Sequence, residues 1–236
     1  EYLRGPEYMV NTISREGRHH VSDIWRCPKR YVDRAPVHDR EELQPYEGHE
    51  ELVAYAMRAL DALQIRFGAA HVELVRTAAG PRLLEIGARL EGGIDPAAVA
   101  ACVGHDPVGV TVDSYLDPAA FEGFARTPYR PRRHALCVLL ICPTSGVLRS
   151  IVGFDRVRAL DAHFSSRLTV RPGARVEATR DLQTIPGLVY HVHEDPARLE
   201  HGYRTIRELE RDGLYDIERE TDAEDEHVPG RSPRGA

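Results

Sequence analysis

The chain has 236 residues, of which 42% are hydrophobic and 29% charged, and a formal net charge of −6. Those values fit a globular protein with one large domain or two small ones. The charge argues against nonspecific nucleic-acid or membrane binding, which favours basic patches. The richest apolar stretch, Ala135 to Cys142, has the length of a buried strand and falls far short of a membrane span. Cys27, Cys102, Cys137 and Cys142 form no C-x-x-C pair. They read as buried thiols of a reducing cytoplasm.

Glu7 to Ser14 and His20 to Cys27 are rich in β-formers and flank the turn Arg15-Glu16-Gly17, which predicts a hairpin. Pro28 to Gln44 mixes prolines and charges without a period and reads as a loop. His49 to Leu63 has helical apolar spacing with Glu50 and Glu51 at its start. His71 to Arg76 and Arg82 to Gly87 read as a second hairpin. Asp95-Pro96 and Asp106-Pro107 each open a helix. The Pro- and Arg-bearing stretch 123–133 is expected to be a linker. Beyond it the pattern gives five strands and then a helix over Pro196 to Asp212. From Glu218 onward no apolar anchors remain, and disorder is expected.

The sharpest local signal is HVELVRTAAGPRLLEIGARLEGG, His71 to Gly93. A hairpin centred on Ala79 sets Glu73 opposite Glu85 and His71 opposite Gly87. Opposed carboxylates repel. A divalent cation between them turns the repulsion into attraction, and Mg²⁺ takes carboxylate oxygens together with phosphate and water. Arg89 adds fixed positive charge suited to phosphate or carboxylate. Solvated glutamates on the wet face of a sheet are the alternative that periodicity leaves open.

This segment resembles the metal motif of ATP-grasp ligases, in which a carboxylate on one strand precedes an E-x-N-x-R-like stretch on the next. The form Glu85, Ala88, Arg89, Gly92, Gly93 is most similar to the L-amino acid ligase branch. The opening Glu1-Tyr2-Leu3-Arg4-Gly5-Pro6-Glu7 resembles the E-x-L-x-G-x-E segment of the same superfamily. The resemblance implies Glu73 and Glu85 as Mg²⁺ ligands (Mn²⁺ is an alternative) and Arg89 as the residue that stabilises the reacting phosphate. It implies nucleotide contacts from Glu1, Tyr2, Leu3 and Glu7, with Lys29 reaching the triphosphate. Gly87 stands where the family usually has an asparagine ligand, which weakens the case for a second metal.

The implied fold is α+β: the C-terminal half of an ATP-grasp fold over 1–122, a linker, a smaller α+β domain over 134–217 and a tail over 218–236. The implied reaction is ATP-dependent ligation of a carboxylate, such as an amino acid, to an amine through an acyl phosphate. No nucleic-acid or membrane partner is expected, and a homodimer is left open. The chain opens on Glu1 without an initiator methionine, so it reads as a piece of a longer enzyme, inactive alone. A noncatalytic nucleotide-binding half-domain and a biotin carboxylase-like ligase are the competing readings. His191-x-His193-Glu194 offers a metal site only if a third ligand joins it.

Overall fold

The computed structural model describes residues 1–32 and 35–218. Its centre is an eight-stranded sheet in the order β10-β12-β8-β5-β2-β1-β6-β7. All the pairings along it are antiparallel. The strands are β1 (Glu7–Arg15), β2 (Arg18–Arg26), β5 (Arg40–Leu43), β6 (Gly68–Thr77), β7 (Gly80–Gly87), β8 (His134–Leu139), β10 (His163–Leu168) and β12 (Gly187–His193). A three-stranded sheet joins β11 (Arg175–Val176), β9 (Gly146–Ile151) and β13 (Tyr215–Glu218), and β3 (Lys29–Val32) pairs with β4 (Ala35–His38). Among the described residues, no helix is long and apolar enough to cross a membrane.

Alternation along the strands divides the core between two faces. On one, Val10, Ile24, Val72 and Leu74 pack against Leu52, Val53, Ala56 and Leu60 of α1 (Glu50–Ala62). Farther along the sheet, Val138 and Val189 meet Leu199, Ile206 and Leu209 of α6 (Pro196–Arg211). On the other face, Met9, Trp25, Cys137 and Tyr190 pack with Ala98, Val99 and Cys102 of α2 (Pro96–Val103). This second face carries the candidate site.

Four Asp-Pro steps start helices. Asp95, Asp106, Asp117 and Asp195 each accept bonds from backbone N–H groups one turn on, and proline fills the first helical position of α2, α3 (Pro107–Leu116), α4 (Pro118–Ala125) and α6. The third step corrects the expected linker, whose first residues lie inside α4. The sheet also runs on past residues 123–133, because β5 pairs with β8. The expected loop at Pro28 to Gln44 is instead three short strands, β3, β4 and β5. A further helix, α5 (Phe154–Arg158), precedes β10. Glu218, where disorder was expected to begin, is the last residue of β13, and the rest of that tail lies outside the described residues.

Arg207 of α6 joins the halves of this arrangement. It is 4% exposed and donates to the Asp39 and Leu139 carbonyls at 2.8 Å each, to Asp39 Oδ1 at 3.2 Å and to Glu210 Oε2 at 2.5 Å. Glu210 also accepts from the Ile141 amide at 2.7 Å, and Tyr203 donates to Asp39 at 2.7 Å. Replacing Arg207 with leucine would leave Glu210 without an ion pair and Asp39 with Arg30 alone, at a cost of about 3–5 kcal/mol. Arg207→Leu is therefore expected to lower the thermal midpoint by roughly 10 °C. A shift of a degree or two, read by calorimetry, would show that the buried network contributes little.

Candidate functional site

Register builds the site. Asn11 of β1 is paired with Asp23 of β2 on one side and His71 of β6 on the other, and His71 is paired with Gly87 of β7. One step along the same face, Met9 is paired with Trp25 and with Glu73, and Glu73 with Glu85. Two parallel rows thus cross four strands, and paired residues share a face. The expected hairpin register holds for His71, Glu73, Glu85 and Gly87. A bulge follows it: Leu74 pairs with Leu83, so Leu84 is the extra residue.

The first row is a continuous hydrogen-bonded chain. Asp23, fully buried, accepts from Trp25 Nε1 at 2.7 Å, Ser22 Oγ at 2.7 Å and Asn11 Nδ2 at 2.5 Å. Asn11 Nδ2 also donates to Glu91 Oε2 at 3.1 Å. With its amine spent on carboxylates, Asn11 presents its carbonyl to His71 Nδ1, which therefore donates at 2.7 Å. His71 Nε2 lies 3.1 Å from Glu73 Oε1. The hydrogen bond to His71 holds the Glu73 carboxyl below the usual range.

Beside these rows opens a cavity of about 360 Å³, lined among others by Glu7, His38, Glu41, Glu73, Arg89, Glu91 and Arg167. Burial, reinforced by Glu73, pushes the Glu41 carboxyl up to about 7. Burial, reinforced by Glu41 and Asp23, pushes Glu91 up to about 8. Arg89 and Arg167 line the same space and donate to the Leu90 and Gly92 carbonyls at 2.9 and 3.4 Å. Neither is paired with a carboxylate among the described residues. The cavity therefore offers acidic groups to an ammonium and cationic groups to a phosphate or carboxylate.

The expected site residues fall into two neighbouring clefts. Glu73 and Arg89 line the cavity. Glu85 stands exposed on the edge strand opposite Glu73, and Leu84, the bulge residue, lines the wall in its place. Tyr2, Leu3 and Lys29 line a second cleft, and Glu7 lines both. Lys29 Nζ sits 2.6 Å from Glu7 Oε1, so these two candidate nucleotide contacts hold each other. Glu1 is exposed and lines neither cleft. Gly5 docks the opening segment onto β6: its φ is +152°, and a Cβ there would lie 2.1 Å from the Arg76 carbonyl oxygen.

Glu73 and Glu85 would offer a cation two hard oxygen donors, and no group of three or more metal-binding side chains occurs among the described residues. That set suits a cation completed by phosphate and water, as Mg²⁺ is, better than a closed protein cage. At Gly87, the usual asparagine would meet the Arg89 side chain, which lies 3.3 Å from where its Cβ would be. His191, the other metal candidate, is fully buried with neither ring nitrogen bonded, and burial pushes it down to about 4. His193 Nδ1 accepts from the Asp195 amide at 2.9 Å.

Asn11, His38, Glu41, Glu91 and Arg167 were not expected at the site. Asn11 left a trace, as a polar residue in the middle of an apolar strand, and Glu91 lay within the recognised motif. The raised carboxyls have a consequence for stability. In the unfolded chain a glutamate ionises near 4.3, whereas folded Glu91 stays protonated up to about 8. Between these values the folded state binds more protons, so stability falls as pH rises. Glu91→Gln, which can still accept from Asn11, is expected to flatten this slope between pH 5 and 9. Parallel melting curves for variant and wild type would contradict it.

Residues 138–209 match the family L-amino acid ligase C-terminal domain 2. Over 229 residues the chain is 31% identical to dapdiamide A synthase of Enterobacter agglomerans, a match covering 92% of this chain and 53% of that protein. The fold resembles that of an L-amino acid ligase from Bacillus licheniformis, with a TM-score of 0.76 and 23% identity over 88% of this chain and 54% of the other. It also resembles phosphoribosylglycinamide synthetase from Anaerococcus prevotii, with a TM-score of 0.70 and 12% identity over 92% and 54%. The chain thus spans about half the length of these relatives. Its mixed α+β architecture matches the C-terminal half of ATP-grasp ligases, and its sequence is similar to their L-amino acid ligase-like branch.

Proposed function

We propose that this chain supplies the cation-binding half of a ligase that joins a carboxylate substrate, such as an amino acid, to an amine at the expense of ATP. The observation that carries this reading is the pairing of Glu73 with Glu85 beside a cavity that also holds Arg89. Mg²⁺, or Mn²⁺ in its place, would neutralise triphosphate oxygens when bound to the two carboxylates. The segment Glu1 to Glu7 and Lys29 would face the nucleotide, since Tyr2, Leu3, Glu7 and Lys29 share a cleft that adjoins the cavity.

In the proposed reaction a carboxylate oxygen bonds to the γ-phosphorus, the bond from that phosphorus to the β–γ bridging oxygen breaks, and ADP leaves. Arg89 stabilises charge on the transferring group. The amine then attacks the acyl carbon, a C–N bond forms, and inorganic phosphate departs with its bonding electrons. The nitrogen sheds a proton in that step. Glu41, pushed up to about 7, suits its acceptance near neutral pH. The reaction would take place in the cytoplasm, where ATP is available and the four buried thiols remain reduced.

Calorimetric titration of the chain with ADP tests the reading. Binding is expected to need Mg²⁺ and to weaken at least about tenfold in Glu73→Ala and in Glu85→Ala, because one charged ligand of two is lost. Arg89→Ala is expected to leave ADP affinity nearly unchanged and, in the natural full-length polypeptide, to depress amino-acid-dependent ADP release more than it raises KM. ADP binding indifferent to chelation of the metal would overturn the assignment.

A further inference from the structure

We propose that His71 and Asn11 are positioning residues that aim the Glu73 carboxylate at the cation, an inference that rests on the metal reading of Glu73 given above. The argument is one of hydrogen-bond capacity. Asn11 has two amide hydrogens and one carbonyl, and its neighbours dictate their use. The amine faces Asp23 at 2.5 Å and Glu91 at 3.1 Å, both carboxyls, so the carbonyl must face His71. That bond, at 2.7 Å, sets the imidazole plane, and the ring serves both Asn11 and Glu73 as a donor when hydrogen sits on both of its nitrogens.

The ring is then left with one free nitrogen, and its direction is no longer adjustable. Nε2 meets Glu73 Oε1 at 3.1 Å. His71 is 3% exposed, whereas the Glu73 side chain is 37% exposed. The chain of bonds thus leads from a fully buried carboxylate, Asp23, out to a carboxylate at the cavity wall. A row that served packing alone would be complete at the His71–Asn11 bond. Here it continues to one oxygen of Glu73, while Oε2 has no hydrogen-bond partner among the described residues. An oxygen with a held neighbour and a free lone pair is what a hard cation requires of a ligand, and outer partners of this kind tune affinity by about 10–100-fold.

Electron paramagnetic resonance of Mn²⁺ in the presence of ADP tests the proposal on the chain itself. His71→Leu is expected to weaken Mn²⁺ binding in the presence of ADP at least about tenfold. His71→Gln, which keeps an N–H donor, is expected to recover most of that loss. The double variant His71→Leu/Glu73→Ala should bind no more weakly than Glu73→Ala alone, since the two side chains act as one unit. Wild-type Mn²⁺ affinity in folded His71→Leu would overturn the proposal and leave the metal reading standing. Absence of nucleotide-dependent Mn²⁺ binding in the wild type would overturn both. Should His71→Leu fail to fold, the imidazole nitrogen resonances of the wild type decide: a hydrogen-bonded N–H at Nε2 supports the proposal, and an unprotonated Nε2 refutes it.

Discussion

A single amide, that of Asn11, sits where the sheet could least tolerate an unsatisfied group. It lies between a fully buried aspartate and a buried histidine. A buried carboxylate is costly unless its lone pairs are filled, and Asp23 has all three of its donors on β1 and β2. Slipping β1 by one residue against either neighbour would turn Asn11 toward α1 and leave Asp23 and His71 unpaired. The polar row therefore locks the register of β2, β1 and β6. That register in turn sets Met9, Trp25, Glu73 and Glu85 in the adjacent row.

Charge in the cavity follows from the same arrangement. Glu41 arrives on β5 and Glu91 on the segment after β7, and both are desolvated within reach of each other and of Asp23 or Glu73. Nothing cationic among the described residues pairs with either. Arg89 and Arg167 line the cavity bonded only to backbone carbonyls, so their charge stays available to a ligand. The Glu73 carboxylate and the two guanidinium groups, kept apart across one small space, suit a ligand that carries both charges.

The remainder of the structure holds these walls in place. Arg207 ties α6 to the start of β5 through Asp39 and to the end of β8 through the Leu139 carbonyl. Arg30 on β3 reaches Asp39 at 3.3 Å and the Tyr203 hydroxyl at 3.0 Å. The short β3–β4 pair, which begins with Lys29 and ends with His38, is thereby fastened to the same helix. Glu41, two residues beyond Asp39, owes its place in the cavity to this anchoring.

The hairpin of β6 and β7 was legible because local rules suffice for it. Alternation assigns faces, and the turn between Thr77 and Pro81 sets which glutamate meets which. The helices behind Asp95, Asp106 and Asp195 were legible for the same reason, since an aspartate cap and a following proline act within one turn. The identical signal at Asp117-Pro118 yields α4, though prolines and arginines just beyond it suggest a linker. The bulge at Leu84 left no mark, because it depends on how β7 twists against its neighbour and not on residue type. Strands β3 to β5 were invisible for a stronger reason: each has only four residues, and β5 exists as a strand through β2 and β8, which lie far from one another in the chain. Residue types and short spacings therefore announced the carboxylate pair, Arg89 and the family. The assembly of Asn11, Glu41 and Glu91 around that pair depended on long-range strand pairing, which no local period encodes.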